Sequence, residues 1–409
     1  MFSKKNNIIL LLCCVAVLVG GCGQNKVAKN ETTFQSSQGR MPDDMSEGET
    51  ITDSLPEKNE WGEIDLKSCD VSKLDLRNQL DQLYHVSFNS KTIWPKKDKM
   101  PKEYNPEQII KDNMHPGLGI ENLHKKGITG KGVGIAIIDQ PLLTNHEEYK
   151  NQLAYYHETE RVVNEEMPSS MHGPAVASIA VGKNVGVAPE ANLYFWADAM
   201  WEDEKKESYY AQDILEIVEF NKSLPEDQKI RVISISDGSE DPSHEGFQDY
   251  MNAMKTAYEN NILVITVSLE ESGTRGDLTE EGYFFDGAER TLFSDSEDPN
   301  SYDDYWTRGD ENYIYVPMNG IVVAAMTGEK DYAYDSFGGY SWTTPYLAGL
   351  YAMACQVNQN VDLSSFYQAA KETAYHKEGH ACELGKDLNQ KFDMMVIQPE
   401  KMIERLSQR

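Results

Sequence analysis

"GVGIAIIDQPLLTNHEEY", Gly132–Tyr149, opens with small and branched apolar residues and closes that run on an acid, Asp139. An apolar run bounded by glycine and a polar turn reads as a strand buried on both faces. The pattern recurs in "ANLYFWAD" (Ala191–Asp198), "RVISISDGS" (Arg231–Ser239) and "ILVITVSL" (Ile262–Leu269). Between these runs, "YYAQDILEIVEFN" and "YMNAMKTAYENN" place apolar residues at helical spacing. Alternation of strand and helix predicts an α/β fold of three layers, with a mostly parallel central sheet flanked by helices. In such sheets the site lies beyond the carboxyl ends of the strands. Asp139, Asp237 and Glu270 all fall there.

Two further stretches carry chemistry-bearing residues at element starts. "HGPAVASIAVG" (His172–Gly182) reads as a helix with Pro174 in its first turn. "GGYSWTTPYLAGL" (Gly338–Leu350) sets Ser341 on a glycine turn ahead of an apolar helix, with Pro345 suited to an early turn. Taken singly, Ser341 reads as a helix cap, His172 as a capping histidine and Asp139 as a turn residue. The three together resemble the Asp, His and Ser segments of the subtilisin-like serine proteases. "IAIIDQPLLTNHEEY" is similar to the Asp segment, in which a histidine follows at a short interval, here His146. "HGPAVASIAVGKNVGVAPEANLY" resembles the His segment with its trailing Gly-Val-Ala-Pro. "GYSWTTPYLAG" resembles the Ser segment, and the order is the one of that family.

The resemblance implies a serine endopeptidase acting through an acyl-enzyme. Ser341 would be the nucleophile, His172 the base and Asp139 the group that orients it. It implies substrate pairing at Ser236, Asp237 and Gly238, with Asp237 where Leu is usual. It aligns Glu270 with the Asn that donates to the oxyanion. An ionised Glu cannot donate. The alternative reading is therefore a pseudoprotease of the same fold that serves as a surface binding module. Asp237 and Glu270 beside the cleft predict a preference for basic residues in a polypeptide substrate. Other departures are Pro174, Ala175, Tyr340 and Trp342.

The chain's start, "MFSKKNNIILLLCCVAVLVGGCGQ", has Lys4 and Lys5 before an apolar run and then small residues, a secretion signal by pattern. "LVGGC" resembles the lipobox of bacterial lipoproteins. It implies removal of residues 1–21, lipid on Cys22 and a place on the outer face of the membrane. Residues 22–60 are polar and aperiodic and read as a flexible tether. Residues 61–114 read as an N-terminal extension or pro-region, with "WPKKDKMPKEYNP" as a linker. Residues 115–409 read as the peptidase domain, a monomer.

The formal charge is −29, which argues against nucleic acid or anionic lipid as a partner. No Cys-x-x-Cys pair or EF-hand spacing occurs, which argues against a zinc site or an EF-hand calcium site; the resemblance implies an enzyme that requires no cofactor. Cys69, Cys355 and Cys382 read as free thiols, with a Cys355–Cys382 bond as the alternative. Residues 270–312 are acidic and aromatic and read as a solvated insertion. The alternative there is a rim loop that selects substrate or holds a structural Ca²⁺ ion.

Overall fold

The computed structural model describes residues 36–408, apart from 38, 44–47, 60, 164–168, 199–204, 239–242, 268–284, 292, 306–308, 310–311 and 384–385. From the N-terminus, β1 (Ile64–Asp65) and β2 (Val86–Asn89) precede helix α1 (Pro106–Asp112). The central sheet follows: β3 (Gly134–Asp139), β4 (Leu153–Glu158), β5 (Asn192–Ala197), β6 (Ile230–Ile235) and β7 (Leu263–Thr266). Its order is β4-β5-β3-β6-β7, and every pair is parallel. The crossovers carry α2 (His172–Val181), α3 (Lys206–Ser223) and α4 (Phe247–Glu259), as the apolar periodicities predict.

Period two sorts the two faces of this sheet. Ile135, Ile137, Leu193, Phe195 and Val232 join the main core with α2 and with α5 (Tyr340–Val357). Tyr194 and Trp196 point the other way and meet Phe220 of α3 at ring distances of 5.6 and 5.4 Å. Helix α5 is buried almost continuously from Trp342 to Cys355, so it is a core helix and shows no polar face. Beyond the central sheet lie β8 (Phe285–Arg290), β9 (Tyr302–Asp304), β10 (Ile314–Pro317), β13 (Tyr375–Glu383) and β14 (Lys386–Val396), in the order β13-β14-β10-β8-β9. β11 (Ile321–Ala324) and β12 (Tyr332–Asp335) complete a further sheet, β1-β2-β12-β11.

Three expectations change. Residues 270–312 are not a solvated insertion where they are described: Phe285, Ala288 and Tyr302 of β8 and β9 are buried in the main core. Residues 94–106 are no linker: Met100 and Tyr104 are buried, and Trp94 packs on Phe88 and Tyr104. The prolines and lysines that made the segment look like a linker sit beside apolar residues that join the extension's own core with Leu66, Val71, Leu83 and Tyr334. Part of the tether is also ordered against the domain. Ser37 N donates to the Tyr156 carbonyl at 2.6 Å, and Arg40 pairs with Glu158 at 2.7 Å, along the open edge of β4. An unpaired edge strand attracts such pairing, which composition alone does not reveal. Pro345 is the sixth residue of α5, in its second turn. Cys69, Cys355 and Cys382 are free thiols.

Glu289 of β8 faces Asp303 of β9 across an antiparallel pair. Burial, and then the Asp303 charge, push its carboxyl up from 4.5 to about 7. The folded chain thus keeps a proton that the unfolded chain releases near 4.5, so this group lowers stability progressively as pH rises from 4.5 to 7. Glu289→Gln should raise the thermal midpoint at pH 8 and leave it unchanged near pH 4. Equal shifts at both pH values would contradict this assignment.

Candidate active site

Asp139 closes β3, and its carboxylate is fully buried. Its Oδ1 lies 2.8 Å from His172 Nδ1 and accepts the Gln140 N–H, also at 2.8 Å. His172 is the first residue of α2 and is 5% exposed. Helix and strand end approach closely because Gly173 has no side chain. A Cβ there would lie 2.2 Å from the Gln140 carbonyl oxygen. Trp342 packs against the imidazole ring, with ring centres 5.2 Å apart. Trp342 follows Ser341, so the helix that carries the serine also packs on the histidine.

Ser341 is the second residue of α5. The first N–H groups of a helix have no acceptor within it, and the helix dipole favours negative charge there. The turn before it needs glycine twice. Gly338 passes so close to Met318 that a Cβ would lie 1.5 Å from the carbonyl oxygen. Gly339 has φ 143° and ψ −176°, a region that is almost glycine-only. Burial, and then the Asp286 carboxylate, push the neighbouring Tyr340 phenol well up.

Pro345 links this helix to the end of β6. A proline has no N–H, so the carbonyl four residues earlier loses its helical donor. That carbonyl belongs to Ser341, and Ser236 Oγ donates to it at 3.0 Å. Ser341 Oγ in turn donates to the Ser236 carbonyl at 3.4 Å. The two serines thus hold each other, and the hydroxyl of Ser341 is turned toward β6. Ser236 was read from sequence as a substrate contact; its link to α5 was not legible there.

Asp237 is not a free acid at the cleft. Lys206 Nζ lies 3.0 Å from its Oδ2, Tyr210 donates to the same oxygen at 2.7 Å, and its own Oδ1 accepts from Gly238 N. Lys206 also donates to the Gly238 carbonyl at 3.0 Å. This removes Asp237 as the reason for a basic-substrate preference. Lys206 and Tyr210 had no role in the sequence reading, because nothing near them in sequence points to Asp237. His146, 0% exposed, is structural: its Nε2 bonds the Asp331 carbonyl at 2.9 Å and its Nδ1 accepts from Glu148 N. Glu270 and Cys22 lie outside the described residues. Among the described residues, no group of three or more His, Cys, Asp or Glu side chains is arranged to hold a metal ion.

The sequence matches the family model of the subtilases, peptidase S8, over residues 130–386. The chain belongs to the subtilase family. Its three motif segments lie within the matched span. Among solved structures, the prenylagaramide maturation protease PagA is 18% identical over 71% of this chain and 99% of its own, with a TM-score of 0.48. The PatG macrocyclase domain is 14% identical over 71% of this chain and 96% of its own, with a TM-score of 0.46. No curated protein matches the chain.

The Ser236 contact generates a test in this subtilase. Ser236→Ala leaves the Ser341 carbonyl without its donor and should cost about 1–3 kcal/mol in denaturant unfolding. Pro345→Ala returns an N–H to that carbonyl, so it should gain more stability in the Ser236→Ala background than in wild type. Strict additivity of the two substitutions would show that the carbonyl was never coupled to both.

Proposed function

We propose that this subtilase is a lipid-anchored, extracytoplasmic serine endopeptidase that works through an acyl-enzyme at Ser341. The observation that carries the reading is the buried 2.8 Å bond between Asp139 Oδ1 and His172 Nδ1. It leaves Nε2 as the nitrogen to take a proton. Ser341 Oγ would rotate from the Ser236 carbonyl to His172 Nε2 and give up its proton as it attacks the substrate carbonyl. The buried Asp139 carboxylate favours the Nδ1–H tautomer and the imidazolium that forms. The N–H groups at the start of α5 would face the developing oxyanion. His172 would then return the proton to the leaving amine, and water would release the acyl group by the reverse sequence.

A second reading, a catalytically impaired binding module, is favoured by one observation: Lys206 already occupies the Gly238 carbonyl that substrate backbone would need. Glu270 at the aligned oxyanion position adds to it. A structural Ca²⁺ ion and a monomeric state remain proposals of the sequence, as does polypeptide as the substrate class.

Incubation with a fluorophosphonate probe separates the two readings. Wild type should be labelled on Ser341. Ser341→Ala should lose labelling with only a small drop in thermal midpoint, and Asp139→Asn should lower the labelling rate steeply because the wrong tautomer is favoured. An unlabelled wild type would support the binding-module reading, and equal labelling of wild type and Ser341→Ala would exclude this serine.

The anchor has its own test. No helix among the described residues is long and apolar enough to cross a membrane. Growth with a radiolabelled fatty acid should label the wild-type protein and leave Cys22→Ala unlabelled. Equal labelling of the two, or none of wild type, would contradict lipidation at Cys22.

A further inference from the structure

The family match begins at Gly130, so residues 61–91 lie outside it. They nevertheless follow the run Asp331–Phe337 that leads into the Ser341 turn, residue by residue. Lys91 Nζ lies 3.1 Å from Asp331 Oδ2. Ser90 N donates to the Tyr332 carbonyl at 2.8 Å, and Tyr332 N donates to Ser90 Oγ at 2.9 Å. Phe88 and Asn89 of β2 pair with Tyr334 and Ala333 of β12. Lys67 Nζ lies 2.9 Å from Asp335 Oδ1. Ser336 N donates to Ser87 Oγ at 3.0 Å. Trp61 stacks on Phe337 with ring centres 6.3 Å apart. Four residues after Phe337 comes Ser341. On the far side of the turn, Gly339 N donates to the Met318 carbonyl at 3.1 Å.

A buried charge makes one of these contacts hard to give up. Asp335 is 2% exposed, and its Oδ2 has no hydrogen-bond partner among the described residues. Burial raises its carboxyl, and Lys67 is the first group to oppose that rise, with His172 also acting on it. Burial pulls the Lys67 ammonium down, but Asp335, Asp65 and Glu63 more than offset it. Without Lys67, Asp335 would either carry an uncompensated buried charge or take up a proton and give up its ion pair, and either change disturbs the run beside the site. Loss of the extension would also turn β12 into an open edge.

We propose that residues 61–91 are a retained working part of the catalytic unit, with Lys67 as a positioning residue that holds, through Asp335, the run presenting Ser341. This rests on the reading of Ser341 as the nucleophile. It sets the extension apart from a pro-region that must leave before activity appears.

The test uses the full chain with Lys67→Met, Lys67→Arg and Trp61→Ala. Two readouts are taken: the rate of fluorophosphonate labelling at Ser341, and amide hydrogen exchange across residues 336–342. Lys67→Met should label roughly 10²-fold more slowly, the scale of a small misplacement of a reacting group. Its exchange across 336–342 should rise while β3 and β6 stay protected, and Lys67→Arg should restore both. Trp61 is 42% exposed, so Trp61→Ala should fold even if Lys67→Met does not, and should show the same changes to a lesser degree. Unchanged labelling and exchange in the variants that fold would overturn the proposal. If wild type is not labelled at all, the nucleophile reading fails, and exchange alone decides whether the extension holds the run: faster exchange supports it and unchanged exchange overturns it.

Discussion

The contact on which this structure turns is the one between Asp139 and His172. A carboxylate with no exposed surface needs partners, and Asp139 has two on Oδ1: the His172 ring and the Gln140 N–H. Several separate features converge on that geometry. The strand β3 must end at Asp139, α2 must begin at His172, and Gly173 must let the helix start reach the loop that follows the strand. Trp342 then packs against the ring from the side of α5. Each feature belongs to a different part of the chain, and each would be an unremarkable local choice without the others.

The carboxyl edge of the sheet collects acids in a chain that is already strongly acidic, and the fold answers with a few half-buried cations. Lys206 serves Asp237. Arg161 bridges Asp198 and Asp213 at 2.6 and 2.7 Å, and Asp198 N donates to the Asp139 carbonyl. Burial, and then Asp198, push the Asp213 carboxyl well up against the pull of Arg161. Lys67 does the same work for Asp335 from the extension. Net charge therefore says little about the cleft, because Asp237, Asp198, Asp213 and Asp335, among the described residues, already have cations beside them.

The sheet was legible because parallel strands buried on both faces leave continuous apolar runs, and "GIAIID" and "NLYFWA" became strands with the expected alternation of faces. The Asp, His and Ser segments were legible because residue type, order and element agree. What was not legible depends on long-range partners. "WPKKDKMPKEYNP" looked like a linker because it is rich in Pro and Lys, yet Trp94 and Tyr104 pack in the extension's core. Ser37 and Arg40 follow the edge of a strand more than a hundred residues away. Pro345 looked like an early-turn proline, and its effect on the Ser341 carbonyl shows only once Ser236 is in place. Asp237 looked like a free cleft acid because nothing near it in sequence announces Lys206 or Tyr210.

The central claim is that Asp139, His172 and Ser341 act as one nucleophilic unit. Rapid mixing with a p-nitrophenyl ester, followed by peptide mapping of the quenched protein, tests it most directly. The account predicts a burst of p-nitrophenolate stoichiometric with protein, then slower turnover, with the acyl group found on Ser341. Steady release with no burst and no acylated peptide, or an acyl group on another residue, would contradict it.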